Sequence, residues 1–306
     1  MPCSKSFPGA KGASVQDRSD PTQTVVPFPS SATRPPPGKN SGRGWKDLRA
    51  RVLSAAVIIP LAALCVWAGG IAYAVMIVLA MVGMASEWGR LFSLSARSWR
   101  GILYLLWPLA CAACALTGQW GGAFLVMGVA FVFGPALWAG QVAVGCAGVS
   151  LLWLRFMTHP GAGVVLFVVA CVALSDTGAY LTGRAVGGPK LAPRISPAKT
   201  WSGSCGGLLC AVAGGAVIAA LLPDALPGSA WRGAVMGGVM AIAAQAGDLA
   251  ESTLKRARGV KDSGALIPGH GGLLDRFDGL LVAAPLAALI SLGAAAGAAF
   301  WYVGLH

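Results

Sequence analysis

The stretch Gly247–Asp278, GDLAESTLKRARGVKDSGALIPGHGGLLDRFD, gathers Lys, Arg, Asp, His and Gly in a chain otherwise dominated by Ala, Val, Leu and Gly. Read as the end of a helix, its first part places Asp248, Glu251, Ser252 and Lys255 at i, i+3, i+4 and i+7. One face then carries two carboxylates, a hydroxyl and an ammonium. An ion pair of Asp248 or Glu251 with Lys255 would let such a face survive beside lipid. Asp248 lies further from the expected surface, where an acid is harder to justify without a cation. Lys255, Arg256, Arg258 and Lys261 suit either an anchor on the positive side of a membrane or a phosphate clamp, and the two roles are compatible. Pro268-Gly269-His270-Gly271-Gly272 makes a loop whose backbone N–H groups can approach an anion, with His270 as a ligand. It is not a Walker loop, because no GK[ST] follows. Asp275 and Asp278 stand at i, i+3 near a helix start, with Arg276 between them. They serve either as helix caps or, with Asp248, as a hard-oxygen site for Mg²⁺ whose remaining ligands are phosphates.

A second polar group lies upstream. Asp176, in Asp176-Thr177-Gly178-Ala179-Tyr180, is an acid at the end of an apolar run, open to a hydrogen bond with a neighbouring helix or to a functional role. Ser196, Lys199 and Thr200 offer hydroxyls and a charge to a polyanion, although Ser and Thr there would also cap the helix that follows.

These residues must be positioned by membrane helices. Of 306 residues, 56% are hydrophobic and only 11% charged, against about 25% charged in soluble domains. Apolar runs long enough to span a bilayer are expected near 52–69, 70–86, 101–117, 121–138, 140–154, 163–182, 204–222, 233–252 and 279–303, with Gly69, Gly70 and Gly140 as tight breaks. The fold class is an all-α polytopic membrane bundle of about nine transmembrane helices with a cytoplasmic N-terminus. Charge agrees: alternating sides from that start puts 21 of the 23 Lys and Arg residues on the cytoplasmic side, leaving only Arg155 and Arg232 outside. Residues 1–50, rich in Pro, Ser and Gly, are expected to be a disordered cytoplasmic tail, without a secretory signal. Trp45, Lys46, Arg49 and Arg51 anchor the first span at the interface. Residues 51–306 form the transmembrane domain, with its active site at 176–202 and 245–278.

The net charge of +12 follows the positive-inside pattern, and no nucleic-acid polymer is expected, because no basic face is interleaved with aromatics. Cys111 and Cys114 form a CxxC inside an apolar run, with no second CxxC and no His nearby, so they read as helix-packing residues rather than zinc ligands.

Ser252-Thr253-Leu254-Lys255-Arg256, Lys261-Asp262 and Pro268-Gly269-His270-Gly271-Gly272-Leu273-Leu274-Asp275-Arg276-Phe277-Asp278 closely resemble the signature of the phosphatidate cytidylyltransferases. Asp176–Tyr180 and Lys190–Pro197 also resemble that family. One departure stands out: the family's Lys-Thr-x-Glu-Gly becomes Lys199-Thr200-Trp201-Ser202-Gly203, with Ser202 in place of the acid. The resemblance implies a reaction of CTP with phosphatidic acid to give CDP-diacylglycerol and pyrophosphate. It implies that Asp248, Asp275 and Asp278 hold Mg²⁺, with room for a second metal ion, and that Asp248, Lys255, Asp275 and Asp278 are catalytic. Lys255, Arg256, Lys261 and Arg276 would bind the triphosphate or the lipid phosphate, and Asp176, Ser196, Lys199, Thr200 and Ser252 would contribute to substrate binding. His270, Gly271 and Gly272 would shape the phosphate pocket. The expected location is the bacterial inner membrane, with the site facing the cytoplasm and the acyl tails entering laterally from the bilayer; a homodimer is compatible with this reading. A CTP-dependent lipid kinase, a cytidylyltransferase for another lipid phosphate and a transporter are the alternatives.

Overall fold

The computed structural model describes residues 56–158, 160–222, 228–264 and 271–293. The expected tail, His270 and the outer ends of the first and last expected spans lie outside the described residues.

Each expected apolar run coincides with a helix. These are α1 (Ala56–Ala68), α2 (Gly70–Leu91), α3 (Trp99–Leu116), α4 (Trp120–Val129), α5 (Pro135–Phe156), α6 (Gly161–Ala185), α7 (Trp201–Leu221), α8 (Ser229–Ala257) and, after the one-turn α9 (Leu274–Phe277), α10 (Leu280–Ser291). Six of them, α2, α3, α5, α6, α7 and α8, are long and apolar enough to cross a membrane, while α1, α10 and α4 with the 3-10 turn that follows it are shorter apolar helices. The described residues form a predominantly helical integral membrane bundle.

One expected break is corrected. The interruption placed at Gly140 falls at Gly134 instead, where φ is 91°. Glycine adopts that angle without a Cβ penalty, and Pro135 then opens α5 with its φ already helical and no N–H to leave unpaired. Gly140 lies inside α5, and its missing side chain makes room for the indole of Trp88.

Helix α5 has the largest buried share of the six long helices, 61% of its apolar window, and it touches α2, α3, α6 and α10. Lipid tails are as apolar as the helices, so close approach and internal hydrogen bonds hold such a bundle together. Small residues supply the first: Ala211, Ala219, Ala241 and Ala244 are buried where α7 meets α8 or α8 faces the core. Buried polar side chains supply the second by finding backbone carbonyls. Tyr73 donates to Leu151 O at 2.9 Å, Tyr104 to Leu137 O at 3.1 Å and Gln141 Nε2 to Tyr104 O at 2.8 Å.

Arg155, an exception to the charge pattern, has a structural explanation. Its Nε donates to Val66 O at 3.0 Å and its Nη2 to Trp67 O at 3.4 Å, so it satisfies carbonyls at the end of α1. Arg155→Ala should therefore lower the thermal stability of the purified protein by about 1–3 kcal/mol and leave its turnover number unchanged.

The loop between α6 and α7 contains a small hairpin that the helical reading did not include. Strand β1 (Lys190–Ala192) pairs antiparallel with β2 (Ser196–Thr200). Two strands alone are marginal in water, and this hairpin is tied down along its length. Trp201 N–H donates to Pro189 O at 3.1 Å, Ser202 Oγ donates to Gly187 O, and Arg256 Nε reaches Ile195 O at 3.2 Å. Ser202 thus fastens the base of the hairpin at the position where the family resemblance leads one to expect an acid.

Candidate active site

The C-terminal ends of α2, α6 and α8, the start of α7, the hairpin and α9 meet at one end of the bundle. Lys255 sits near the end of α8, where Glu251 lies one turn back on the same face. Its Nζ is 2.6 Å from Glu251 and 2.8 Å from Asp275 of α9, and its side chain is largely buried. Asp275 also accepts the Ser263 N–H at 3.1–3.2 Å and the Gly272 N–H at 3.0 Å. Burial alone would raise the Asp275 carboxyl, but the Lys255 and Ser263 hydrogen bonds outweigh it and hold the group down at about 2. Asp275 thus organises the backbone before α9 and fixes an ammonium.

Asp248 lies two turns back from Lys255 and belongs to a second cluster. Its Oδ2 is 2.5 Å from Lys199 Nζ on β2, and its Oδ1 accepts Ser252 Oγ at 3.4 Å. Gly247 brings Asp278 to the same place. A Cβ at Gly247 would lie 2.4 Å from Asp278 O, so only the bare backbone lets the chain after α9 press against α8. Asp278 accepts its neighbour's Gly279 N–H at 2.6 Å. Burial first, and then the negative charge of Asp248, pushes the Asp278 carboxyl up to about 7.

A cavity of about 390 Å³ opens beside this cluster. Asp176, Lys199, Thr200 and Asp248 line it, as do Tyr180, Arg184, Ser204 and Gln245. Gln245 is held by Ser204 and Ser175: its Nε2 donates to Ser204 O at 3.1 Å and to Ser175 Oγ at 3.3 Å. Arg184 donates to the Tyr180 hydroxyl at 2.9 Å, one helical turn back on α6.

The structure therefore brings Asp176, Lys199, Thr200, Asp248, Ser252, Lys255, Asp275 and Asp278 to one end of the bundle. Thr200 is buried and caps α7, its Oγ1 accepting the Gly203 N–H at 3.1 Å. Arg256 is turned toward backbone, reaching Ile195 O and, at 3.3 Å, Val260 O. Lys261 and Arg276 are exposed, Ser196 begins β2, and Gly271 and Gly272 precede α9. Sequence reading missed Gln245, Tyr180 and Arg184 as cavity residues; the available signal was polar groups on the same helical face as Asp248 and Asp176, Gln245 three residues before Asp248, and Tyr180 and Arg184 four and eight residues after Asp176. It also missed Glu87, at the end of α2. This carboxylate is fully buried and accepts the Leu274 N–H at 2.7 Å.

A sequence profile of the cytidylyltransferase family matches residues 49–292. The chain belongs to the cytidylyltransferase family. It is 38% identical over 253 residues, covering 78% of this chain and 92% of the relative, to a phosphatidate cytidylyltransferase of Brucella suis biovar 1 (strain 1330). The protein of the same name from Haemophilus influenzae (strain ATCC 51907 / DSM 11121 / KW20 / Rd) is 44% identical over 144 residues, 45% of this chain and 50% of that one. The one from Staphylococcus saprophyticus subsp. saprophyticus (strain ATCC 15305 / DSM 20229 / NCIMB 8711 / NCTC 7292 / S-41) is 39% identical over 145 residues, 47% of this chain and 55% of that one. The carboxylate and ammonium groups described above all fall within the matched range of this family member.

The donor set can be tested against a divalent cation. Among the described residues, no three His, Cys, Asp or Glu side chains gather closely enough to hold a metal by themselves. Asp248 and Asp278 do stand close enough for one charge to oppose ionisation of the other. Mg²⁺ is commonly held by one or two carboxylates, with substrate phosphates and water filling the other positions. Burial first, and then the Asp248 charge, disfavours the ionised Asp278 carboxyl, a cost that a cation would relieve, so the residues fit Mg²⁺ brought together with a triphosphate.

Proposed function

We propose that this membrane protein transfers the cytidylyl group of CTP to phosphatidic acid, giving CDP-diacylglycerol and pyrophosphate. A phosphate oxygen of phosphatidic acid attacks the α-phosphorus of CTP. The bond from that phosphorus to the bridging oxygen of the β-phosphate breaks, and pyrophosphate leaves with the electron pair. The attacking phosphate is largely ionised near neutral pH, so no strong base is required. The barrier lies in bringing two anions together and in the charge that develops on the leaving group.

The observation that carries this reading is the cavity wall. Lys199 and Asp248 meet there as an ion pair from two different elements, beside Asp278, in a member of the cytidylyltransferase family. Lys199 and Lys255 supply positive charge to phosphates, each held in place by carboxylates rather than left to swing. Ser196, Ser252, Arg256, Lys261 and Arg276 surround the same end of the bundle as further phosphate-binding groups, and His270, Gly271 and Gly272 are assigned to the same phosphates. Asp248, Asp275 and Asp278 are the acids assigned to Mg²⁺ and to any second ion. Asp248 and Asp278 are the readier pair, because Asp275 would have to release Lys255 first. When bound, Mg²⁺ neutralises phosphoryl oxygens and polarises the phosphorus toward attack. The site faces the cytoplasm at the inner-membrane boundary, where the lipid head group already lies.

Radiolabelled CTP tests this with purified protein in detergent. Label in the α-phosphate should enter the lipid, label in the γ-phosphate should not, and EDTA should stop transfer until Mg²⁺ is restored. Lipid labelled from the γ-phosphate would mean a kinase and overturn the proposal. Transfer that continues unchanged in EDTA would overturn the Mg²⁺ assignment.

A further inference from the structure

Glu87 has no role in the chemistry so far, yet it is a completely buried carboxylate at the end of α2. Its Oε2 accepts the Leu274 N–H at 2.7 Å, one residue before Asp275, and the Ser263 hydroxyl at 3.4 Å. Ser263 divides its two donors: the hydroxyl goes to Glu87 and the backbone N–H to Asp275. A chain of contacts therefore runs from Glu87 through Ser263 and Leu274 to Asp275, and from Asp275 to Lys255. The approach is close on both sides of the Glu87 carboxylate. A Cβ on Gly264 would lie 2.6 Å from Oε1, and one on Gly272 would lie 2.8 Å from Oε2 and 2.9 Å from Asp275 Oδ2. The two glycines are shaped around these acids.

A membrane helix has little reason to bury an acid unless the acid is put to use. Here it draws together Ser263 and Leu274, two points eleven residues apart in the chain. We propose that Glu87 is a positioning residue of the transfer site: it clamps Ser263 and Leu274 to α2 and thereby sets the carboxylate of Asp275 against Lys255. The proposal rests on the reading that the Asp275–Lys255 pair belongs to that site. It gives α2 a part in positioning the site.

The test uses full-length protein in detergent with Glu87→Ala, Glu87→Gln, Ser263→Ala, the Glu87→Ala/Ser263→Ala double variant and Asp275→Ala. Initial rates at varied CTP and phosphatidic acid are read beside thermal unfolding. Glu87→Ala should lower kcat by about a hundredfold with the KM for phosphatidic acid unchanged, since misplacement on the ångström scale costs about that much. Glu87→Gln should recover to within about tenfold of the parent, because an amide oxygen can still accept the Leu274 N–H. Ser263→Ala should lose about three- to tenfold, and the double variant should be no worse than Glu87→Ala, because both changes open the same clamp.

Parental kcat in Glu87→Ala, losses that multiply in the double variant, or a Gln variant as poor as the Ala variant would each overturn the clamp. If Glu87→Ala fails to fold, parental turnover in both Glu87→Gln and Ser263→Ala would overturn it instead. An inactive Asp275→Ala beside a normal Glu87→Ala sinks the clamp alone. An active Asp275→Ala sinks the site reading and the clamp with it.

Discussion

Replacing Asp275 by alanine is expected to lower the turnover number by about 10²–10³-fold, the scale seen when a fixed electrostatic group is removed from an active site, while the protein remains in the membrane. The change acts twice. Lys255 keeps Glu251 at 2.6 Å but loses the partner that draws its ammonium toward α9. The N–H groups of Ser263 and Gly272, both buried residues, lose their acceptor, at a cost of about 1–3 kcal/mol for each group left unpaired. Asp275→Asn separates the two effects. It retains an acceptor for the amides, so it should lose less stability than Asp275→Ala, whereas its activity should stay low because the negative charge is gone.

The pH dependence of the stability gap follows from the depressed carboxyl. Asp275 titrates at about 2 in the folded protein against an ordinary value of 3.8. Its charged contribution is therefore fully present above about 3.8 and is lost as pH falls through about 2. Thermal unfolding of parent and Asp275→Asn should differ by a constant amount at neutral pH and converge below that window. Convergence near pH 6 would contradict the assignment.

Gly247→Val is expected to reduce activity by about a hundredfold, through displacement rather than loss of a functional group. Even the first carbon of the new side chain would lie 2.4 Å from Asp278 O, a backbone atom that cannot turn aside. The segment after α9 must then move off α8, taking Asp278 away from Asp248. Ala246→Val at the exposed neighbouring position enlarges a side chain on the same helix without meeting that segment, and should leave turnover within about twofold of the parent, as distant surface changes usually do. Equal activity in the two variants would show that contact between α8 and residue 278 does not set the site.

The apolar runs were legible because a helix in lipid must satisfy its own backbone, which makes long stretches of Ala, Val, Leu and Gly almost unambiguous. The division between α4 and α5 was misplaced because several glycines interrupt that region, and hydropathy does not rank them. Only Gly134 is followed by a proline suited to begin a helix. The hairpin at Lys190–Thr200 was invisible as strand for a different reason. Lys190-Leu191-Ala192 and Ser196–Thr200 have little β character, and their pairing is upheld by two residues of α8, Arg256 at Ile195 O and Asp248 at Lys199.

The acids were picked out by a simple rule, that charge within an apolar protein needs a reason. The same rule applied to Glu87, but the second span was ended at residue 86, so the acid counted as loop. The helix continues to Leu91 and buries it.

What the sequence alone determined is the class of chemistry and its environment. Rare residue types at fixed spacing identify a nucleotidyl-transfer family, and hydropathy places those residues on membrane helices. What tertiary structure decided is the pairing. Asp248 goes to Lys199 and Asp278, Asp275 to Lys255, and Glu87 to the chain on either side of Gly264 and Gly272. Spacing along one helix shows which groups share a face. Which cation an acid meets depends on how closely neighbouring backbones approach, and in this bundle that is set by missing side chains such as that of Gly247.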